Sequence, residues 1–329
     1  MYPYISLTEQ DVKDMLDSLG INSIEDLFSD IPEEVKLKRE LNIPKAKSEL
    51  EVYNYLTKLA SKNASSSEYP TFLGAGAYDH YIPALIPTII SRSEFLTSYT
   101  PYQPEISQGT LQYIFEFQTM ISNLTGMDYA NASLYDQGTG LAEAAIMTVH
   151  NAKKKKVLVS EAIAPWSREV LKTYLHAQNL EMEVVKTCNG VTCVEDLQAK
   201  LNDEVGAVLV QNPNFFGNIE DVTKISEIAH SIKKCYSVVS VDPSSLGSLK
   251  KPSECNVDVV VGEAQPLGIP VSFGGPYLGF MAVNKEFLRK IPGRIVGQTL
   301  DRDGKRCWVL TLSAREQHIK RDKATSNIC

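Results

Sequence analysis

Apolar residues recur with a helical period in the first 60 residues of the chain. The first stripe consists of Val12, Met15, Leu16 and Leu19. Its i, i+3, i+4, i+7 spacing places the side chains on one helix face, and Thr8 and Gly20 are residue types that begin and end helices. A short turn after Ser23 and a helix over residues 49–60 are also predicted. The polar residues 61–68 are typical of a linker.

From residue 130 onward, runs of β-branched residues alternate with amphipathic stretches. Strands are predicted at residues 157–159, 183–185, 207–210, 238–241, 257–261 and 278–283. Helices are predicted at residues 108–124, 141–154, 167–177, 194–201 and 222–233. Apolar strands that alternate with helices indicate a mainly parallel sheet covered on both faces, which is the α/β fold class. In such sheets ligands bind beyond the carboxyl ends of the strands.

Composition and charge narrow the range of partners. The chain has 329 residues, is 43% hydrophobic and 22% charged, and carries a net charge of −7. The negative charge disfavours nucleic acid as a partner, because phosphate binding needs a basic surface. No stretch approaches the ~18 apolar residues of a membrane helix. The first residues also lack the features of a secretory signal, so we expect a cytoplasmic protein with no membrane partner.

The six cysteines are scattered along the chain and contain no CxxC pair. No histidine lies at zinc-finger spacing, so no metal site is predicted. Cys188 and Cys193 flank the turn signal Asn189-Gly190 and can approach each other across a hairpin. Reduced thiols are nevertheless the expected state in a cytosol.

Three groups of residues follow the predicted strands and can carry chemistry. Gly138, Thr139 and Gly140 precede a predicted helix, where main-chain N–H groups can bind a phosphate or carboxylate, although such turns often serve only packing. Asn212 follows one strand and can donate to a phenolate-type oxygen or simply form a turn. Asp242 follows the next and can pair with a protonated ring nitrogen or help the chain turn before a proline.

The order of these groups resembles the fold-type-I pyridoxal-phosphate enzymes. Those enzymes next need a lysine that binds the cofactor covalently, at the end of the following strand. Gln265 stands about where the lysine is expected, while Lys250 and Lys251 precede the strand at its other end. Because a carboxamide cannot form an imine, this chain is predicted not to hold the cofactor covalently.

Longer strings resemble the P-protein family of the glycine cleavage system, and within it subunit 1 of the two-subunit form. The matching strings are residues 26–34, 72–78, 99–109, 131–145, 213–217, 274–276, 292–297 and 315–329. They span nearly the whole chain in order. The string 265–268, Gln-Pro-Leu-Gly, is how subunit 1 reads where subunit 2 carries its lysine.

The resemblance implies a fold, a reaction and a set of partners. Subunits 1 and 2 form an α2β2 assembly, and pyridoxal phosphate is bound through the lysine of subunit 2. Glycine loses its carboxylate as carbon dioxide, and the aminomethyl group passes to the lipoyl arm of the H-protein. The active site lies at an interface, so subunit 1 can supply groups to it. This chain alone is expected to be inactive.

The loop of residues 99–109 offers the candidate groups for that interface. Its polar side chains are Thr100, Tyr102, Gln103, Glu105 and Ser107. Pro101 and Pro104 stiffen the backbone, which favours a loop that binds a small zwitterion or steers a lipoyl arm. The alternative is an interface loop that satisfies its own polar groups. His80 and Tyr81 are secondary candidates, and for His80 a structural role is preferred.

Two features depart from the family pattern. Ala164 stands before Pro165 where family members often carry a histidine, which agrees with an empty or vestigial cofactor site. The closing residues end without a cap, which suggests a C-terminal domain cut short. The domains are therefore predicted as a helical arm and linker over residues 1–68, an α/β domain over 69–298 and the start of a C-terminal domain over 299–329.

Three further interpretations remain open from the sequence. Arg315, Glu316 and His318 can form an acid–base cluster, although a polar interface helix is preferred. The chain can instead be a self-sufficient pyridoxal-phosphate enzyme of another reaction type, with its lysine elsewhere. It can also be a non-catalytic scaffold that docks the H-protein or subunit 2.

Overall fold

A computed structural model of the chain describes residues 5–72, 74 and 76–312. The chain divides into two compact units, Met1–Ser65 and Ser66–Cys329. The division falls within residues 61–68, the predicted linker.

The first unit contains two α-helices, α1 (Glu9–Leu19) and α2 (Glu49–Ala60), and a 3-10 turn at Ile24–Phe28. The side chain of Thr8 accepts from the main chain of Asp11 at the start of α1, and Gly20 closes it with a left-handed φ of 69°. The predicted helices and their caps are therefore confirmed. These three elements contain no buried residue.

The second unit alternates helices and strands along the chain. Its helices are α3 (Leu85–Ile90), α4 (Ser93–Leu96), α5 (Gln108–Thr125), α6 (Gln137–Ala152), α7 (Pro165–Ala177), α8 (Val194–Lys200) and α9 (Val222–His230). Its strands are β1 (Tyr129–Ala130), β2 (Lys156–Ser160), β3 (Glu181–Val185), β4 (Thr187–Cys188), β5 (Val191–Thr192), β6 (Val205–Asn212), β7 (Tyr236–Val241), β8 (Val259–Glu263), β9 (Gly279–Val283), β10 (Val296–Leu300) and β11 (Arg306–Leu310). Short 3-10 turns occur at Pro104–Ile106, Pro243–Gly247, Pro252–Cys255, Gln265–Leu267 and Lys285–Phe287. None of the described helices has the length and apolar character that crossing a bilayer requires.

Seven strands form the central sheet in the order β1-β9-β8-β7-β6-β2-β3. The pairs from β3 to β8 are parallel, and β9 pairs antiparallel with both β8 and β1. Both faces are covered. Val157 and Val159 of β2 belong to one core cluster and Leu158 to the other, because successive strand residues point to opposite faces. The predicted α/β class with a mainly parallel sheet is confirmed.

Several predicted boundaries differ from the structure. Helix α6 begins at Gln137, so Gly138, Thr139 and Gly140 lie in its first turn rather than before it. The cause is Asp136, which acts as the N-cap. The loop of residues 99–109 contains a 3-10 turn at Pro104–Ile106, where no helical turn was predicted. Strand β10 (Val296–Leu300) includes residues 298 and 299, between which the boundary of the α/β domain was predicted.

Two hairpins are formed by strands that were not predicted, β4–β5 and β10–β11; only for the first was a hairpin turn considered, at Asn189-Gly190. The first brings Cys188 and Cys193 together at a Cα–Cα distance of 4.9 Å, with the two sulfurs in a disulfide pairing. The approach across the turn was expected, but the expected state was reduced thiols, so that expectation differs from the structure. Two-residue strands carry no periodic signal that a sequence pattern can detect.

Gly279 marks the closest approach between β9 and the segment before α6. Its main chain exchanges two hydrogen bonds with that of Leu134, at 2.8 and 3.1 Å. A Cβ built on Gly279 would lie 2.6 Å from the main-chain carbon of Asp136. The absence of a side chain therefore lets the N-cap of α6 rest directly on the sheet.

We expect Gly279→Ala to lower the free energy of unfolding by about 3 kcal/mol, because main chain must move to admit the methyl group. Urea denaturation measures the change. Gly247→Ala is the matched control, since a Cβ there meets nothing within 4 Å, and it should change stability by less than about 0.5 kcal/mol. Equal effects of the two substitutions would contradict the close approach at Gly279.

Candidate functional site

The polar residues predicted as a site follow neighbouring parallel strands. Asn212 pairs in register with Val241, and Val241 pairs with Gly262. Asn212, Asp242 and Gln265 therefore lie at one edge of the sheet, the carboxyl end of β6, β7 and β8. This is the edge at which α/β sheets bind ligands.

The first turn of α6 meets this edge, and the chain's own groups occupy several of its donors. The main-chain N–H of Thr139 donates to Asp136 Oδ1 at 2.7 Å, and the Thr139 hydroxyl also bonds to Asp136. The main-chain N–H of Gln137 donates to Glu263 Oε2 at 3.2 Å. Two carboxylates thus take the place at this helix start that an external anion would need.

Glu263 is the centre of the hydrogen bonding at the end of β8. Only 7% of the residue is exposed. Besides Gln137, it accepts the main-chain N–H groups of Gln265 at 3.1 Å and Leu278 at 2.9 Å. Three N–H groups from three segments therefore converge on one buried carboxyl group.

Burial raises the pKa of Glu263 above its ordinary value, because the charged form loses its hydration. The three N–H groups work in the opposite direction, since they favour the carboxylate. The nearby charge of Asp136 adds to the upward shift of the pKa. Any further anion brought to this turn would meet both carboxyl groups.

Gln265 lies in the 3-10 turn after β8 and is 1% exposed. Its Nε2 donates to the carbonyl oxygens of Tyr78 at 3.2 Å and Ile269 at 2.6 Å. Its Oε1 accepts the main-chain N–H of Tyr78 at 3.3 Å. The amide is therefore fully engaged with main chain. Lys251 precedes β8, and its Nζ donates to the carbonyl oxygen of Asn123.

Asn212 and Asp242 both make local contacts. Asn212 Oδ1 accepts the main-chain N–H of Glu220 at 3.0 Å. Asp242 Oδ1 accepts the main-chain N–H and the hydroxyl of Ser244 at 2.9 and 2.6 Å. These bonds are the turn-forming roles that the sequence left as alternatives. A role for either residue toward a cofactor stays a prediction.

The loop of residues 99–109 is held at one end and exposed at its centre. Gln108 pairs with both the N–H and the carbonyl oxygen of Trp308 at 2.8 Å. The guanidinium carbon of buried Arg294 lies 5.3 Å from the ring centroid of Tyr102, a cation–π distance. Among the described residues, the buried Thr100 hydroxyl oxygen has no hydrogen-bond partner.

The remaining loop candidates are open to solvent or half-buried. Gln103 and Glu105 are exposed, and Ser107 is half-buried. Their hydroxyl, amide and carboxylate groups can therefore meet another molecule. Their part in binding stays a prediction.

The secondary candidates are placed as follows. His80 Nδ1 lies 2.9 Å from the carbonyl oxygen of Tyr78, a contact within its own turn. Tyr81 is 88% exposed. Ala164 is buried and donates its N–H to Gln211 Oε1 at 2.9 Å. Arg315, Glu316 and His318 lie outside the described residues.

Comparison with known proteins assigns the family. The sequence profile of the glycine cleavage system P-protein matches residues 2–329. The chain belongs to this family. It is 57% identical to a Bacillus mycoides (strain KBAB4) protein named "Probable glycine dehydrogenase (decarboxylating) subunit 1", over all of this chain and 73% of the relative. A Bacillus cereus (strain B4264) protein of the same name is 56% identical over the same shares.

One solved structure agrees with the P-protein assignment, and a second shares the fold. A crystal structure of glycine decarboxylase (P-protein) of the glycine cleavage system, in inhibitor-bound form, superposes with a TM-score of 0.92 at 43% identity. The match covers all of this chain and 73% of that one. A sphingosine-1-phosphate lyase from Burkholderia pseudomallei K96243 gives 0.57 at 10% identity, over 85% of this chain and 68% of that one. The second likeness concerns the fold alone and confirms the fold-type-I architecture.

The residues at the end of β8 do not fit a pyridoxal phosphate bound to this chain. The position expected to hold a lysine carries the buried amide of Gln265, which is saturated by main-chain groups. The first turn of α6, which would hold the phosphate, already binds Glu263 and Asp136. A phosphate dianion at this turn would lack those N–H donors and face two carboxyl groups.

Three residues of the site were missed by the sequence analysis. Glu263 follows four residues of a buried strand, and a carboxylate there is a signal that was available. Arg294 and Tyr78 gave no such signal, because their roles depend on Tyr102 and Gln265, which are distant in sequence. Only the fold brings these pairs together.

The raised pKa of Glu263 predicts a pH dependence of stability. The folded protein holds this proton more tightly than the unfolded chain, so the carboxyl group favours folding at acid pH. That contribution is lost as the pH rises through the raised pKa, above the ordinary value of 4.5. We expect the stability advantage of the unaltered chain over Glu263→Gln to shrink as the pH rises above 4.5.

Urea denaturation across this pH range measures the advantage. The exposed Glu254 provides the control substitution Glu254→Gln. This variant should show the same dependence of the free energy of unfolding on pH as the unaltered chain, because Glu263 is intact. An advantage that grows with pH would show that Glu263 is stabilised as the carboxylate, against this prediction.

Proposed function

We propose that this chain is the lysine-lacking subunit of a glycine decarboxylase. With subunit 2, it would decarboxylate glycine and pass the aminomethyl group to the lipoyl arm of the H-protein. Pyridoxal phosphate would be held by a lysine of subunit 2, and its ring would accept the electron pair left when carbon dioxide departs. The buried amide of Gln265 at the end of β8 carries this proposal.

The contacts around Gln265 support a division of labour between two subunits. An amide with three bonds to main chain has no free group to offer a cofactor aldehyde. The two carboxyl groups at α6 disfavour the cofactor's phosphate on this chain. These observations speak against a self-sufficient pyridoxal-phosphate enzyme. The relatives' designation as subunit 1 agrees with a second subunit that supplies the lysine.

The loop of residues 99–109 is the contribution that we propose for this chain. Buried Arg294 supports the ring of Tyr102 from within the fold, while 53% of Tyr102 stays exposed. Exposed Gln103 lies beside it. A supported aromatic ring with adjacent amide and carboxylate groups suits a small zwitterion or a lipoyl arm. The unpartnered hydroxyl of Thr100 is a further group that such a ligand or partner can satisfy.

The assembly and its location complete the proposal. The two subunits would form an α2β2 complex in which this loop reaches the partner's cofactor, and the complex would act in the cytoplasm. The H-protein would dock where its lipoyl arm can enter the shared site. Neither nucleic acid nor a membrane has a part in it.

Glycine–bicarbonate carbon exchange tests the proposal. We expect no exchange from this chain alone or from subunit 2 alone, and exchange when the two are mixed. Tyr102→Phe and Gln103→Ala should each lower the exchange rate of the mixture roughly tenfold, the effect of losing one well-placed hydrogen bond to a charged group.

Gln178→Ala is the matched control for Gln103→Ala. Gln178 is also exposed but follows α7 and precedes β3, so it lies at the amino end of the parallel strands. Its substitution should leave the exchange rate unchanged. Full activity of subunit 2 alone would instead indicate a docking scaffold, and activity of this chain alone would indicate a self-sufficient enzyme.

A further inference from the structure

The side chain of Gln265 forms a two-way pair with main chain that is 187 residues away in sequence. It accepts from the N–H of Tyr78 and donates to the carbonyl oxygen of the same residue. This is the bonding that a neighbouring β-strand would provide. Since Nε2 also donates to Ile269, both amide protons are used.

A second contact holds the same segment. The main chain at Gly76 adopts a φ of +93°, and a Cβ built there would overlap the indole ring of Trp166. Trp166 lies in the first turn of α7, directly after the strand-end region of β2. Residues 76–78 thus contact a ring at the start of α7 and an amide at the end of β8.

Glu263 holds the main chain of Gln265 in place. Its Oε1 accepts the main-chain N–H of Gln265 at 3.1 Å, and its Oε2 accepts that of Gln137 in α6. The turn that carries Gln265 is therefore tied to the start of α6. Because the main chain of this turn is already fixed, the side-chain amide of Gln265 loses little conformational entropy when it binds Tyr78.

We propose that residues 76–78 are the resident occupant of the cleft at the carboxyl end of β8, and that Gln265 is the residue that holds them there. The position at which a lysine was expected serves to bind the chain's own main chain. The cleft consequently takes no phosphate or free pyridoxal phosphate. This inference concerns the chain by itself and does not rest on its role in glycine decarboxylation.

Amide hydrogen exchange tests the hold on Tyr78. In the unaltered chain, the Tyr78 amide should exchange more slowly than that of an unstructured peptide. Gln265→Met keeps the length of the side chain but removes all three of its hydrogen bonds, and it should accelerate exchange at Tyr78 roughly tenfold. An unprotected Tyr78 amide in the unaltered chain would overturn the proposal whether or not the variant folds.

Gln118 provides a matched control. It is 8% exposed, donates to the carbonyl oxygen of Val296 at 3.1 Å and accepts the Val296 N–H at 2.9 Å. Gln118→Met should therefore accelerate exchange at Val296 and leave Tyr78 protected, whereas Gln265→Met should do the reverse. Identical exchange patterns from the two variants would mean general loosening and would refute a specific hold by Gln265.

Cofactor binding is the independent readout. The unaltered chain, incubated with pyridoxal phosphate and then desalted, should retain no cofactor absorbance. One retained equivalent would show an open cleft and refute the proposal. Inorganic phosphate added to the unaltered chain should leave its thermal midpoint unchanged, and a concentration-dependent rise would equally refute it. None of these measurements involves glycine turnover, so they test this inference independently of the proposed function.

Discussion

A single buried carboxyl group organises the edge of the sheet where the candidate site lies. Glu263 accepts main-chain N–H groups from the start of α6, from the turn after β8 and from the residue before β9. Burying a carboxyl group without such partners is costly, so these three segments must keep their positions relative to one another. The start of α6 can meet the sheet only because Gly279 has no side chain.

This arrangement supports the proposal that the chain serves in a cofactor-dependent enzyme without holding the cofactor itself. The donors that usually receive a phosphate at a helix start are taken by Glu263 and Asp136. The side-chain amide of Gln265 is hydrogen-bonded to main-chain carbonyl oxygens. The polar groups that we propose for chemistry lie in the loop of residues 99–109. There Tyr102 is supported by Arg294, and its neighbours remain exposed.

The sequence predicted the repeating elements well, because each has a local cause. The helix at Glu49–Ala60 matches its prediction to the residue, and the caps of α1 are those expected from Thr8 and Gly20. The start of α6 was misjudged by four residues, since Asp136 caps a turn that contains two glycines. The short strands β4 and β5 were not predicted, because a strand of two residues is too short to show an alternating pattern. They pair only when the hairpin closes.

The sequence by itself determined the α/β class, the edge of the sheet on which the polar residues gather, and the amide at the expected lysine position. Periodicity and residue type suffice for these, because they depend on neighbours along the chain. The tertiary structure decided that Glu263 fills the helix start, that Gln265 binds Tyr78 and that Arg294 lies beneath Tyr102. The two residues of each pair are more than 100 positions apart in the sequence. Such pairs exist only once the sheet has brought its strand ends together.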